Sequence, residues 1–197
     1  MKRLIFVVLI VMISAFAFAQ SGLKVGEKAP DFKAKDQNGN VVTLKDALKK
    51  GKVVILFYRG YWCPNCSRAV KSLQDSLQLL TDRNVSVIAI SPEGADGIKK
   101  TVSKSKATFT VLSDEGLKIS KAFKVAFKVT KDMDAIHNQY NIDVVGNNVS
   151  NGNYLPRPSA FIIDTDGTII YRYFNTLPYS HPNSNNRVTV KELLQNL

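Results

Sequence analysis

Cys63 and Cys66 are the only cysteines of this 197-residue chain, so all of its thiol chemistry is concentrated in one C-x-x-C motif. An apolar run typical of a β-strand (residues 53–58) precedes the motif, and a helical pattern begins near Ser67. A strand that delivers two cysteines to the N-terminus of a helix is the arrangement of a thiol redox site. The motif therefore predicts a dithiol that cycles with an intramolecular disulfide.

The helix start predicts different roles for the two cysteines. We expect Cys63 at the N-cap and Cys66 one turn further in, on nearly the same face. Pro64 suits the first helical position, where no amide N–H is needed. Free amide groups and the positive end of the helix dipole favour a thiolate there, so Cys63 is expected to be the more accessible and more acidic thiol. Cys66 would then attack a mixed disulfide and release the product.

Arg59 lies four residues before Cys63, where the predicted strand ends. A guanidinium at that place would bind substrate beside the motif and favour a thiolate. A solvent-facing arginine with no such role is an equally good interpretation of the sequence.

Metal binding is the alternative use of two cysteines. A zinc site needs two further ligands, and the chain has only His137 and His181 to supply them. A copper(I) site formed by both thiolates and His137 is a second possibility. Otherwise we expect His137 on an exposed helix face and His181 in an exposed loop, with no resident metal.

The N-terminus has the pattern of a secretory signal peptide. Lys2 and Arg3 form a positive start, residues 4–18 are almost entirely apolar, and residues 17–19 (Ala-Phe-Ala) form a small-x-small cleavage site. We expect cleavage near Ala19 and export to the periplasm or the medium, leaving residues 20–197 as a single domain. The alternative is an uncleaved anchor. In an oxidising compartment, a disulfide between residues this close stabilises little, which favours a catalytic pair.

The net charge of +11 comes from basic residues scattered along the chain, as on solvated helix faces. No recognition motif for nucleic acid occurs among them, so no nucleic-acid partner is expected. No stable membrane span is expected once the signal is removed.

The order of elements predicts an α/β fold. Turn residues at 36–40 indicate an N-terminal hairpin, and a short helix runs from Lys45 to Gly51. Further predictions, in chain order, are buried strands at 53–57 and 85–90 with a helix between them, a helix at 97–106, a strand at 111–112, a helix with Ser113 as N-cap, an inserted helix and loop at 127–154, a strand hairpin at 160–173 and a closing helix from 189. This is the order of a thioredoxin-like three-layer sandwich.

Three segments resemble the peroxiredoxin-like branch of the alkyl hydroperoxide reductase/thiol-specific antioxidant (AhpC/TSA) family. They are residues 57–66 (FYRGYWCPNC), residues 155–164 (LPRPSAFIID) and residues 25–32 (VGEKAPDF). The resemblance implies a thioredoxin fold and a cis-proline at Pro158 that faces the cysteines. With Trp62, this proline would contact an extended substrate.

The chain departs from the pattern of the peroxiredoxins proper, P-x-x-x-T-x-x-C followed later by an arginine. In that alignment Cys66 takes the place of the peroxidatic cysteine, Cys63 of the threonine and Arg59 of the proline. Pro158 stands where the later arginine is expected, with Arg157 beside it. The peroxide-activating set is thus incomplete, with Arg59 and Arg157 as the only nearby cations that could replace it.

These observations favour an exported, antioxidant thiol oxidoreductase in which Cys63 and Cys66 exchange disulfides with a protein or small molecule. Such an enzyme needs an external thiol reductant and no cofactor beyond its own disulfide. The first alternative is a thiol-dependent peroxidase with Cys66 peroxidatic and Cys63 resolving. The second is a copper(I) carrier, which would not be an enzyme.

Overall fold

The computed structural model describes residues 22–148, 151–177 and 186–197. The predicted signal peptide (residues 1–19) and His181 lie outside these ranges, so their predictions stay predictions. Within the described ranges, no helix combines the length and the apolar character that crossing a bilayer requires.

A five-stranded sheet forms the centre of the molecule, with the strand order β5-β4-β3-β8-β9. Its strands are β3 (Lys52–Phe57), β4 (Val85–Ser91), β5 (Thr110–Ser113), β8 (Ser159–Ile163) and β9 (Ile169–Phe174). The first three are parallel neighbours, and β8 and β9 add antiparallel pairs. The continuous apolar runs of β3 and β4 are buried on both faces, as predicted.

Helices cover both faces of the sheet. They are α1 (Leu44–Leu48), α2 (Pro64–Asp75), α3 (Leu77–Thr81), α4 (Ala95–Ser105), α5 (Lys118–Ala122) and α8 (Val190–Gln195). One apolar cluster joins β3 and β4 to residues of α2, α3, α4 and α8, and a second joins the opposite face to residues of α1 and α5. The predicted three-layer sandwich is therefore confirmed.

The N-terminal hairpin consists of β1 (Lys33–Lys35) and β2 (Val41–Thr43), which pair antiparallel. The Asp36 carboxylate closes its turn by accepting the amide N–H groups of Asn38 and Asn40, each at 2.8 Å. The short polar turn residues that predicted the hairpin thus form it.

The predicted insertion is more ordered than its sequence indicated. It contains α6 (Lys131–Gln139) and α7 (Val144–Asn147), and the antiparallel strands β6 (Ala126–Lys128) and β7 (Tyr154–Pro156) close its base. A third apolar cluster, formed by residues of the insertion, packs against Trp62 beside the cysteines. The insertion is therefore fixed against the C-x-x-C motif.

Ser113 is not the N-cap that the sequence predicted. Its hydroxyl donates to the Glu93 carbonyl at 2.6 Å, whereas the buried Asp114 carboxylate accepts the N–H groups of Ile119 and Ser120 at 2.8 Å. A single 3₁₀ turn (Glu115–Leu117) lies between Asp114 and α5. The longer carboxylate side chain reaches across this turn to the first amides of the helix.

The prediction of a cis bond before Pro158 is wrong, because the described residues contain no cis peptide bond. Hydrogen bonds hold the backbone on both sides of this proline. The Arg157 N–H donates to the Val125 carbonyl at 2.8 Å, and the Asn175 N–H donates to the Pro158 carbonyl at 3.1 Å. The chain therefore passes from β7 into β8 without the sharp turn that a cis bond would make.

Candidate active site

Helix α2 begins at Pro64, directly after Cys63. Cys63 is the N-cap, with extended backbone angles (φ −91°, ψ 108°). Its carbonyl accepts the N–H groups of Cys66 and Ser67, each at 3.0 Å. The predicted positions of both cysteines and of Pro64 are thus confirmed.

Both cysteines are free thiols in the apolar cluster between the sheet and α2. Cys63 is 3% exposed and Cys66 is fully buried. Cys63 is the more accessible of the two, as predicted, but only slightly. A molecule that reacts with Cys66 must pass the outer sulfur or wait for a local opening.

Arg59 is buried beside the outer sulfur. Its side chain is 5% exposed, and Nη2 donates to the Cys63 Sγ at 3.2 Å. The solvent-facing interpretation of this arginine is therefore wrong. The position of Arg59 fits the other interpretation, a cation held against the thiols.

Arg187 is a second cation at the pair, and the sequence analysis missed it. Its Nη2 lies 3.8 Å from the Cys66 Sγ, across 121 positions of sequence. The segment that carries it leads into α8, and the Asn175 side chain fixes that segment by donating to the Asn186 carbonyl at 3.3 Å. The two guanidinium groups thus lie beside different sulfurs of one dithiol.

These surroundings separate the pKa values of the two thiols. The hydrogen bond to Cys66 raises the pKa of Cys63 well above its ordinary value, and burial adds to this. Burial also works to raise the pKa of Cys66. The hydrogen bond from Cys63 and the charges of Arg59 and Arg187 outweigh it and hold the pKa of Cys66 well below its ordinary value.

These effects favour a thiolate on Cys66 over one on Cys63. The prediction that Cys63 is the more acidic thiol is wrong. That prediction rested on the helix N-terminus alone. In the fold, the hydrogen bond between the two buried thiols lowers the pKa of Cys66 and raises that of Cys63, and the charges of both guanidinium groups also lower the pKa of Cys66.

Trp62 and Pro158, the other predicted substrate-binding residues, line cavities on the Cys63 side of the pair. A cavity of about 470 Å³ opens over Cys63, and it is lined by Arg59, Trp62, Cys63, Pro64, Asn65, Ile136, Tyr140 and Ile142. This volume lies within the range of small-molecule sites. Trp62 is half-buried in its wall, as a substrate contact requires.

Pro158 and Arg157 adjoin a much smaller space of about 20 Å³, which Arg59 also lines. The Arg157 guanidinium stacks on the Phe127 ring, 5.1 Å from its centroid. No hydrogen bond joins it to either sulfur in the part of the chain that the structure describes. Arg187, and not Arg157, accompanies Arg59 at the thiols.

His137 is buried, so its predicted place on an exposed helix face is wrong. Its ring packs edge-on against Trp62 with the centroids 5.5 Å apart. Burial lowers its pKa, and the charge of Arg59 lowers it further. Within residues 22–148, 151–177 and 186–197, no three His, Cys, Asp or Glu side chains are grouped to hold a metal ion. The three ligands of the copper hypothesis are therefore not assembled.

Comparison with known sequences agrees with this site. The AhpC/TSA family model matches residues 25–172. The candidate peroxiredoxin bcp of Helicobacter pylori is 28% identical over 159 residues, which cover 81% of this chain and 93% of that protein. The thiol-disulfide oxidoreductase ResA of Bacillus thuringiensis is 25% identical over 180 residues, which cover 86% of each.

Solved structures show the same fold. The peroxidoxin BcpB of Mycobacterium tuberculosis superposes with a TM-score of 0.64 at 21% identity, covering 79% of this chain and 88% of that one. The thioredoxin domain of a thiol-disulfide oxidoreductase from Bacteroides vulgatus gives a TM-score of 0.52 at 19% identity, covering 77% and 89%. The family match extends over most of the chain, from the N-terminal hairpin to β9, and the chain therefore belongs to the AhpC/TSA family and is an oxidoreductase.

Proposed function

We propose that the protein is a thiol-dependent peroxidase in which Cys66 attacks the peroxide and Cys63 resolves the product. The observation that carries this proposal is the geometry of the pair: Cys66 is fully buried, the Arg187 guanidinium lies 3.8 Å from its sulfur, and the Arg59 guanidinium is held against Cys63. Both charges lower the pKa of Cys66. The sequence alone favoured disulfide exchange through Cys63. The geometry supports the alternative more strongly.

In the first step the Cys66 thiolate attacks one peroxide oxygen and the O–O bond breaks. Cys66 becomes a sulfenic acid, and the other oxygen leaves as water or an alcohol once it is protonated. Negative charge moves from sulfur to oxygen during this step. Arg59 and Arg187 are cations already in place to stabilise it, in a site with little water to screen them.

In the second step the Cys63 thiol attacks the sulfenic acid, which forms the disulfide and releases water. The cysteines are one helical turn apart, and the Cys66 N–H already donates to the Cys63 carbonyl, so little rearrangement is needed. An external thiol then attacks the disulfide at Cys63, the sulfur that faces the cavity. The cycle uses no cofactor other than this disulfide.

Size explains why a peroxide suits the inner sulfur better than a disulfide does. Cys66 has no exposed surface, and Cys63 lies between it and the cavity. A peroxide brings only two oxygens to the reacting atom, whereas an attacked disulfide brings two sulfurs with their substituents. Attack by the outer sulfur avoids this crowding, but its raised pKa disfavours the thiolate that such an attack needs.

Disulfide exchange through Cys63 remains the second candidate, because this sulfur and Trp62 line a cavity of about 470 Å³. The likeness to ResA, named as a thiol-disulfide oxidoreductase, supports the same activity. In this reaction the Cys63 sulfur attacks the substrate disulfide, and Cys66 releases the reduced substrate.

Stopped-flow oxidation of the reduced protein distinguishes the two. We expect hydrogen peroxide to react faster than a small disulfide such as oxidised glutathione. In the Cys63→Ser variant, peroxide should leave a sulfenic acid on Cys66 that dimedone labels. A faster reaction with the disulfide, or dimedone labelling at Cys63 in a Cys66→Ser variant and none at Cys66, would favour exchange.

We also propose that the mature protein acts in the periplasm or the medium, after cleavage near Ala19. The positive start, the apolar segment and the small-x-small site support this. N-terminal sequencing of the protein from its native cells should find Gln20 first. An N-terminus at Met1 in a membrane fraction would indicate an anchor instead.

A further inference from the structure

Glu93 is a buried carboxyl group that the catalytic steps above do not use. It lies two residues beyond the end of β4 and has no exposed surface. Its carboxylate accepts three hydrogen bonds from neutral donors: the Tyr61 N–H at 2.8 Å, the Ser91 hydroxyl at 3.1 Å and the Thr101 hydroxyl at 3.3 Å. A buried carboxylate usually has a cation beside it, because desolvation of its charge is costly.

No salt bridge to Glu93 occurs in the described part of the chain. Lys100 and Lys104 of α4 are exposed and lie over the Tyr61 ring, 4.7 and 5.0 Å from its centroid. The titratable groups that face the carboxyl are the Tyr58 phenol and Cys66. Burial raises the pKa of Tyr58 well above its ordinary value, so the phenol stays neutral. Among the described residues, Cys66 is thus the neighbour whose negative charge acts on Glu93.

The carboxyl is also fixed to the loop that carries the reactive residues. The Tyr61 N–H bond joins it to the segment between Arg59 and Cys63. Gly60 allows this packing, because a Cβ there would collide with the Trp62 indole nitrogen and with Glu93 Oε1. Burial raises the pKa of Glu93 to about 7, and the charge of the Cys66 thiolate adds to the effect.

We propose that Glu93 stores the proton of the redox cycle: it is protonated while Cys66 is a thiolate and releases that proton when the disulfide forms. Two negative charges in one buried region destabilise each other, and among the described residues no salt bridge offsets the one on Glu93. Forming the disulfide removes the thiolate charge, so the carboxyl can ionise. Glu93 acts through Cys66 and not on the substrate. It is therefore a positioning residue that holds a proton, and not a catalytic residue.

The proton balance of the proposed peroxidase requires such a store. One thiolate, one thiol, one peroxide and one proton yield the disulfide, an alcohol or water, and a second water. Reduction by two external thiols returns the thiol and the thiolate and liberates one proton. Glu93 supplies the first proton and takes up the second. This inference rests on the dithiol–disulfide cycle of the proposed function.

The test is an equilibrium titration of the Cys63–Cys66 disulfide against dithiothreitol between pH 5 and pH 8, which needs no peroxide. A proton taken up on reduction makes the protein's own reduction potential fall by a further ~30 mV per pH unit, once the two protons that dithiothreitol releases on its oxidation are accounted for, and this equals a tenfold change in the equilibrium constant of the protein's half-reaction. We expect this extra dependence in the wild type, over the range where Glu93 ionises, and its loss in Glu93→Gln. Ser113→Ala is the matched control, because Ser113 contacts the backbone carbonyl of the same residue and not its carboxylate.

Equal pH dependence in the wild type and Glu93→Gln would overturn the proposal. Should that variant fail to fold, infrared difference spectra of the wild type give the answer, since the band of a protonated buried carboxyl should disappear on oxidation. No change in that band would contradict the inference. If Glu93 gives the expected extra pH dependence but hydrogen peroxide oxidises the protein slowly, only the proposed peroxidase activity is refuted.

Discussion

The two sides of the cysteine pair have opposite surroundings. The Cys63 side opens into a cavity whose walls include Trp62 and the insertion helix α6. The Cys66 side is closed and contains ionisable groups, Arg187 and Glu93 among them. The comparison indicates that the two sulfurs have different roles. Nearby charges activate the inner sulfur, Cys66, and larger molecules reach the outer sulfur, Cys63.

The largest expected effect separates the two sulfurs. Cys66→Ser should slow oxidation by hydrogen peroxide by about a thousandfold or more, because it removes the thiolate that the arginines stabilise. Cys63→Ser should keep the first oxidation fast and abolish repeated turnover, since no thiol remains to resolve the sulfenic acid. Stopped-flow fluorescence of Trp62 and steady-state peroxide consumption measure the two quantities. The assignment of roles is wrong if the two variants behave in the reverse way.

The outer side of this comparison could be predicted from sequence because its contacts are local. Cys63, Pro64 and Cys66 lie within one helical turn, and the turn's geometry follows from residue types at fixed spacing. The apolar runs of β3 and β4 similarly specify buried strands. These features depend on neighbours along the chain, and the structure confirms them.

The inner side could not be predicted, because its contacts are distant in sequence. Arg187 reaches Cys66 across 121 positions, and no local pattern marks it. The order of thiol acidity depends on that contact and on the hydrogen bond between the two thiols, so the sequence predicts it wrongly as well. His137 was placed at the surface because the packing of the insertion against Trp62 is also non-local.

Glu93 should make folding stability depend on pH. Its pKa is raised from about 4.5 to about 7 in the folded protein, so the folded state binds the proton more tightly than the unfolded chain does. The resulting stabilisation is fully present below pH ~4.5 and is lost as the pH rises through ~7, at ~1.4 kcal/mol per pKa unit or ~3 kcal/mol in all. Urea unfolding of the reduced protein at several pH values measures it.

The informative quantity is the free energy of unfolding of the wild type minus that of Glu93→Gln. We expect this difference to fall between pH 4.5 and 7.5, because the amide does not ionise. A difference that stays constant would show that the carboxyl keeps an ordinary pKa in the fold. Ser113→Ala again serves as the control and should follow the wild-type pH dependence.

Arg187→Ala should slow the reaction with peroxide ten- to a hundredfold. This loss is smaller than that expected for a hydrogen-bond donor in direct contact, because Nη2 of Arg187 lies 3.8 Å from the Cys66 sulfur. Loss of this charge raises the pKa of Cys66, so the pH–rate profile should shift to higher pH. Absorbance of the thiolate near 240 nm, followed against pH, measures that shift. Arg187→Lys should recover part of the rate, and Arg83→Ala, two residues beyond the end of α3, should have no effect. An unshifted profile in Arg187→Ala would remove this arginine from the site.

The smallest expected effect concerns the outer side. Ile136→Ala enlarges the cavity over Cys63 and removes apolar surface that an organic substrate would cover. At ~0.8 kcal/mol per buried CH₂ group and incomplete burial, kcat/KM for cumene hydroperoxide should fall about five- to tenfold. Hydrogen peroxide has no apolar part and should react at the wild-type rate. Val145→Ala, which changes an exposed residue of α7, is the matched control. Equal losses with both peroxides would mean that Ile136 positions the helix and not the substrate, and the outer cavity would then serve only the external thiol.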